Sequence, residues 1–368
     1  MNEQTITSSQ FGILVIFFTI GTSILITPAG LAFEAKQSAW MPACLGMGMG
    51  MLLILMLHSL TKNSPKMSIV EYCEQILGNW LGKSAAALFV FFSFIGATTL
   101  LWVVGNFMST QVFTETPMIA VNILFALSVV YGVRIGITAV ARSAEIYLPW
   151  IILLFSILIL FTLKDSKVEN LLPLFDVDFK PVTRATLSFI SITSMPLVVM
   201  LMVLPKISNP EASKKAFLTG HLIGGIFLIL TTLFTILVFG ADLTSLQAYP
   251  SYALAKKINV GKFLSRIEVL LAIIWIVTIY YKCTLYFYAA VLGLSQIMNI
   301  KNYKIFSFPL GLLMAFISPD LYHDTVYAAK WNDQTWIPFA FTIGVLLPLI
   351  LMIVNICKKK LKDKQSKS

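Results

Sequence analysis

Charged residues divide this chain into long apolar windows, which are the clearest pattern in the sequence. A helix that crosses a membrane needs about 20 consecutive, mostly apolar residues. Windows that reach or approach this length predict an all-α membrane protein with ten transmembrane helices. The predicted spans are 10–33, 40–60, 84–108, 117–133, 144–163, 185–204, 216–240, 268–294, 305–318 and 336–357.

The first and sixth predicted spans contain residues that break helices. Gly21, Pro28 and Gly30 interrupt the first span, and Pro196 follows a run of hydroxyl side chains in the sixth. Lipid offers no hydrogen-bond partner to freed backbone groups, so interrupted helices persist only where protein or a cavity satisfies them. A proline kink with ordinary Ser/Thr packing would explain either span alone. Their matched positions favour discontinuous helices that form a site.

The two interrupted spans open two halves of five predicted helices each. We expect a single membrane domain over 1–368, with halves at about 10–163 and 185–357 and a basic tail at 358–368. Because five is odd, the second half enters the membrane inverted. Inverted repeats with interrupted helices at corresponding positions indicate a binding site near the midplane. There, half-helix N-termini can hold an anion, and freed carbonyls can hold an ammonium group or a metal cation.

Lys282 is the one charged residue in the middle of a predicted span, the eighth. An ionised lysine at that depth costs roughly 2.5–3.5 kcal/mol on insertion scales. Helical spacing places Trp275, Thr278, Lys282 and Tyr286 on one stripe, which we expect to face the bundle. Lys282 could bind a ligand carboxylate, take the place of a sodium ion, pair with half-helix carbonyls or take part in proton coupling. Snorkelling toward an interface is the alternative, which its central position disfavours.

Other polar positions carry weaker signals. The third predicted span has small or polar residues at helical spacing, which line a cavity or allow close packing: Gly96, Thr99, Asn106 and Thr110. For each of these residues alone, packing is the favoured interpretation. His58 and His221 lie near the ends of predicted spans, where an interfacial position accounts for both.

The composition agrees with a polytopic membrane protein. Hydrophobic residues make up 58% of the chain and charged residues 12%, about half the roughly 25% share of soluble domains. Soluble enzymes and nucleic-acid binders are therefore disfavoured, and no nucleophile–base set, metal cluster or cofactor motif is visible. The net charge of +10 is concentrated in a basic tail, which is typical of a cytoplasmic anchor beside anionic lipid. We expect both termini on the cytoplasmic side.

Several segments, taken in order along the chain, carry a family resemblance. They are 21–28, 68–82, 132–134, 141–149, 170–173, 204–206 and 266–286. Together they resemble the spore germination permease family, the B subunits of endospore germinant receptors, within the amino acid–polyamine–organocation transporter superfamily. The resemblance implies a 5+5 inverted-repeat fold similar to that of the leucine transporter. It also implies residence in the spore inner membrane and partnership with A-type and C-type receptor subunits.

The resemblance further implies a pocket for a small nutrient germinant, an amino acid or similar, between helices 1, 3, 6 and 8. Carried over by position, the ligand-binding residues are Gly21, Thr22, Ser23, Gly96, Thr193, Ser194, Met195, Pro196, Lys282 and Tyr286. Lys282 stands where the family pattern leads us to expect a neutral residue. Two other functions stay open at this point: a secondary transporter for an amino acid or cation, and an assembly scaffold that binds no ligand.

Overall fold

The computed structural model describes residues 5–62, 64–174, 178–257 and 267–365. Its architecture is almost entirely helical. The α-helices, in chain order, are α1 (Ser8–Ile20), α2 (Ser23–Ala35), α3 (Trp40–Thr61), α4 (Ile69–Leu77), α5 (Asn79–Phe107), α6 (Met118–Ile135), α7 (Ile137–Thr162), α8 (Phe179–Thr193), α9 (Pro210–Leu246), α10 (Pro250–Lys257), α11 (Glu268–Ile297), α12 (Lys304–Ile317), α13 (Thr325–Trp331), α14 (Ile337–Phe341) and α15 (Leu347–Gln365). Single π-helical turns join α13, α14 and α15 into one long span.

Within the described residues, eight helices are long and apolar enough to cross a membrane. The number rises to nine when α1 and α2, bent by 47° at a short break, count as one span. The ninth predicted span corresponds to α12, whose 14 residues fall short of a full crossing. The predicted all-α membrane architecture is therefore confirmed, and so are the discontinuous first and sixth helices. The tenth span and the inverted repeat stay predictions.

Helix boundaries differ from the predicted spans because charges end an apolar window without ending a helix. The third span begins at Asn79, where Gly78 at φ 84° separates it from α4. The seventh runs on to Leu246, beyond a non-helical residue at Gly240. Helix α4 lies outside the predicted spans, and its capping box between Ser68 and Glu71 fixes its start.

Helices α1 and α9 approach each other closely at glycines. A Cβ atom on Gly220 would lie 2.5 Å from the carbonyl oxygen of Gly12, and one on Gly224 would lie 2.7 Å from Thr19 Cβ. Small residues allow membrane helices to gain packing contacts that lipid cannot replace. Helix α1, which also packs against α7 and α11, is almost completely buried.

The chain before α1 is attached to the chain that follows the sixth helix. The amide of Ile6 donates to the carbonyl of Lys206, and the amide of Ser208 donates to the carbonyl of Ile6, both at 2.9 Å. The Ser8 hydroxyl also donates to the carbonyl of Asn209. The start of helix 1 and the end of helix 6 therefore form one hydrogen-bonded unit.

The α1–α9 contact yields a test of the packing. We expect Gly220→Ala to destabilise the protein by about 1–3 kcal/mol, because the added methyl group meets backbone that must shift. Gly48→Ala is the matched control, since its Cβ meets no atom within 4 Å on the exposed face of α3. Thermal unfolding in detergent measures both. Equal melting temperatures for the two variants would contradict the close α1–α9 contact.

Candidate functional site

The break in the first helix is at Gly21, whose φ of 23° strains any residue with a Cβ atom. A Cβ atom at this position would also clash with Lys282 Cδ. Helix α2 then starts after Thr22. The Thr22 hydroxyl makes no capping hydrogen bond to the first N–H groups of α2. Glycine therefore provides both the turn and the room for the lysine side chain.

Pro28 lies about two turns beyond the break, inside α2. Proline has no N–H, so the carbonyl of Ile24, four residues earlier, lacks its helical donor. The hydroxyl group of Ser251 donates to that carbonyl at 2.7 Å. A residue of α10 thus satisfies the backbone of the first helix.

The break in the sixth helix is at Ser194, after which the chain continues as a 3₁₀ helix over Met195–Met202. Pro196 cannot donate to the carbonyl of Ile192, four residues earlier. The Nζ atom of Lys282 donates to this carbonyl at 3.0 Å. The preceding carbonyl, of Ser191, accepts from Trp336 Nε1 at 3.0 Å. Two side chains from distant helices therefore satisfy the end of α8.

Lys282 joins the two broken helices. Besides the carbonyl of Ile192, its Nζ atom lies 3.5 Å from Ser23 Oγ and 5.3 Å from the centre of the Phe18 ring. Its side chain is only 2% exposed. It lies 14 residues from the start of α11 and 15 from its end, about 21 Å from either end at 1.5 Å per residue. This position is too deep for the side chain to reach a headgroup, so the snorkelling alternative fails.

The Phe18 ring beside the lysine packs against a second buried ring, that of Tyr286. The stripe of Trp275, Thr278, Lys282 and Tyr286 is buried in the bundle as predicted. The Tyr286 ring lies 5.1 Å from that of Phe18, and a Cβ atom on Gly96 would lie 2.5 Å from Tyr286 Cε1. Gly96 in α5 therefore makes room for the tyrosine ring.

A cavity of about 1050 Å³ opens from this point toward one side of the bundle. It is at the upper end of the roughly 300–1,000 Å³ typical of ligand sites. Its deep end includes Thr22, Gly96, Ile192, Lys282 and Tyr286. Its mouth includes charged residues at the far end of α2, at the start of α8 and after α13, namely Glu34, Arg184 and Asp333. Thr22 and Glu34 are separated by about 18 Å along α2.

Polar groups line the middle of the cavity wall. The hydroxyl groups of Thr99 and Tyr322 lie 3.0 Å apart, and Trp102 Nε1 donates to the carbonyl of Tyr322. Burial raises the pKa of Tyr322 to about 12, so its hydroxyl stays protonated at neutral pH and can donate or accept. In the part of the chain that the structure describes, no group of three His, Cys, Asp or Glu residues could hold a metal ion.

The predicted site residues fall into three sets. Thr22, Gly96, Lys282 and Tyr286 line the cavity. Gly21 and Ser23 contact the Lys282 side chain but do not themselves line the cavity. The predicted sixth-helix residues lie outside the described cavity wall: Thr193, Ser194, Met195 and Pro196. The sixth helix instead contributes residues between 184 and 192, on the half before the break.

His221 lies at a position that differs from the one predicted from the sequence. It was expected at an interface, but it is completely buried in α9. Its Nδ1 atom lies 3.4 Å from Thr19 Oγ1, and its Nε2 atom lies 3.3 Å from Ser194 Oγ. One imidazole thus bridges the residues beside both helix breaks. Gly50 makes room for it, since a Cβ atom there would clash with His221 Nε2.

Comparison with known proteins finds relatives along nearly the whole chain. The family described as "Spore germination protein" matches residues 5–324. Spore germination protein KB of Bacillus subtilis (strain 168) is 28% identical over 374 residues, covering 99% of this chain and 98% of that protein. Spore germination protein GerLB of Bacillus cereus is 24% identical, covering 97% of this chain and 96% of that protein.

Solved structures share the fold. MhsT in complex with L-phenylalanine aligns with a TM-score of 0.71 at 14% identity, over 97% of this chain and 99% of that chain. A Na⁺-coupled sialic acid symporter in a substrate-bound outward-open state aligns with a TM-score of 0.69 at 10% identity, over 96% and 82%. At these identities the likeness concerns the fold alone. It confirms the predicted transporter-like fold.

The histidine bridge yields a second test. We expect His221→Phe to lower the free energy of unfolding by about 1–3 kcal/mol, because the ring is kept but two buried hydroxyl groups lose a partner. His58→Phe is the control, since His58 is only partly buried and its Nδ1 atom makes no hydrogen bond. Thermal unfolding of the purified protein gives the comparison. A larger loss in the His58 variant would contradict the bridge.

Proposed function

This chain belongs to the spore germination protein family, and on that premise we propose that it is the B subunit of a spore germinant receptor. It binds a small nutrient in the cavity and signals germination to A-type and C-type partner subunits. The observation that carries the proposal is the cavity whose deep end lies at the breaks of helices 1 and 6. Its ligand would contact both discontinuous helices at once.

The site is suited to converting binding into a change of shape. A ligand shifts a two-state equilibrium only by its differential affinity for the two states. Helix α1 is fixed at its start by the backbone pairing of Ile6, and α2, which like α1 packs against α9, is joined to it by the glycine turn at Gly21. A ligand between α2 and the first half of the sixth helix would therefore favour one angle between α1 and α2.

The proposed location is the spore inner membrane, with both termini toward the spore core. The start of α1 and the end of α15 lie on the side opposite Glu34 and Asp333, which line the cavity mouth. The mouth would then face outward, where nutrients arrive. The lysines in the last turns of α15 would lie at the inner surface, beside anionic lipid.

A secondary transporter is the second candidate, favoured by the likeness to transporter structures. Both functions need the same cavity, so the distinction lies in flux. We expect no rapid, saturable uptake of radiolabelled amino acids by liposomes that contain this chain alone. Uptake that saturates without A-type and C-type subunits would favour the transporter and contradict the receptor.

The pocket itself is tested with spores whose germination depends on this receptor. We expect Gly96→Ala to raise the half-maximal concentration of nutrient broth about tenfold, because the methyl group displaces the Tyr286 ring at a cost of about 1–3 kcal/mol. Gly48→Ala should leave the dose–response unchanged. Immunoblots of spore membranes confirm equal amounts. An unchanged response in the Gly96 variant would discard the pocket and support the assembly scaffold.

A further inference from the structure

The two helix breaks create one position that attracts a positive charge. Carbonyl groups at the end of a helix carry partial negative charge and can hold a cation. At the end of α8, the carbonyl of Ile192 is freed because Pro196 has no N–H to donate to it. The carbonyl of Ile192, the Ser23 hydroxyl and the Phe18 ring together surround one point, and the Nζ atom of Lys282 lies there.

Side chains of the protein already bond the carbonyl groups that would otherwise accept hydrogen bonds from the ammonium group of a ligand. Lys282 takes the carbonyl of Ile192, and Trp336 takes that of Ser191, each at 3.0 Å. Two of the acceptors at the end of α8 are thus already bonded to side chains of the protein. A ligand ammonium that used either of these carbonyls would have to displace its donor.

The charge at the deep end is not offset by a carboxylate. Within the described residues, no hydrogen bond or ion pair links Lys282 to an Asp or Glu side chain. The carboxylates in the described cavity wall, Glu34 and Asp333, are at its mouth, with Glu34 about 18 Å along α2 from Thr22. A cationic ligand at the deep end would face a like charge, whereas an anion or a neutral acceptor would face a donor.

Hydroxyl groups complete the deep wall. The Tyr286 side chain is 1% exposed, lines the cavity, and its hydroxyl has no hydrogen-bond partner among the described residues. Thr22 adds a second hydroxyl, whose oxygen makes no capping bond to the start of α2. These donors suit the oxygen atoms of a ligand.

We propose that the ammonium group of Lys282 fills the cation position between the two broken helices, so that the cavity binds small oxygen-rich solutes that lack an ammonium group. Hydroxy acids and sugars share this chemistry, and amino acids do not. The inference rests on the proposed function, because it names the ligand class of the same cavity.

Thermal unfolding of the purified full-length chain tests the ligand class. The compounds are the L-amino acids, the 2-hydroxy acids with the same side chains, and common hexoses. We expect at least one hydroxy acid or hexose to raise the melting temperature by about 3 °C or more, because a ligand selective for the folded state stabilises it. The amino acids should give no shift in melting temperature. Whichever class of compound raises the melting temperature, hydroxy acids or hexoses, is the class that the cavity binds.

The outcomes separate the two levels of the proposal. Stabilisation by an amino acid, without any by its matched hydroxy acid, would overturn the ligand class and leave the receptor function standing. No shift from any compound would overturn both. Lys282→Gln keeps an N–H donor for the carbonyl of Ile192 but removes the charge. It should therefore lose the discrimination against amino acids, and unchanged discrimination would contradict the role of Lys282.

A ligand-independent experiment tests the cation position itself. Lys282→Ala should lower the melting temperature, and ethylammonium chloride should partly restore it by refilling the vacated position. Tetramethylammonium chloride has the same charge but no N–H donor and should not restore it. Lys257→Ala is the matched control, because Lys257 also donates to a helix carbonyl beside an aromatic ring but lies exposed outside the cavity. Equal effects of ethylammonium on both variants would overturn the assignment.

Discussion

The structure depends on one constraint: a backbone group freed inside a membrane must find its hydrogen-bond partner within the protein. Pro28 and Pro196 each remove a donor from a discontinuous helix, and each loss is made good by a side chain from elsewhere in the chain. Ser251 serves the first helix and Lys282 the sixth. The glycine at position 21 is necessary because the lysine side chain passes directly beside it. The helix breaks, the buried charge of Lys282 and the cavity beside it therefore depend on one another.

The sequence predicted much of this arrangement because its signals are local. Apolar windows located the spans, glycine and proline located both breaks, and the isolated charge marked Lys282 as inward-facing. The position of His221 could not be predicted in this way, since its partners are 202 and 27 residues away along the chain. Gly50 in α3, which makes room for the imidazole, becomes an informative signal only once the pairing of α3 with α9 is known.

The same limit applies to the sixth helix. Sequence pointed to the residues at the break, but the cavity is lined by the half that precedes it. Which face of a helix meets a cavity depends on how the helix is rotated against its neighbours, and here Trp336 and Lys282 hold the end of α8 in place. The family and fold likenesses do not determine that rotation, because they are similarities of whole chains at low identity.

The short backbone pairing between Ile6 and residues 206–208 has a mechanical consequence. Two segments that lie about 200 residues apart in sequence share two amide–carbonyl bonds, so neither can be displaced alone without breaking them. A force applied at Ile6 is therefore transmitted through these two bonds to residues 206–208, at the far end of the sixth helix. The reverse also holds: tilting the end of that helix moves Ile6 and, with it, the start of α1.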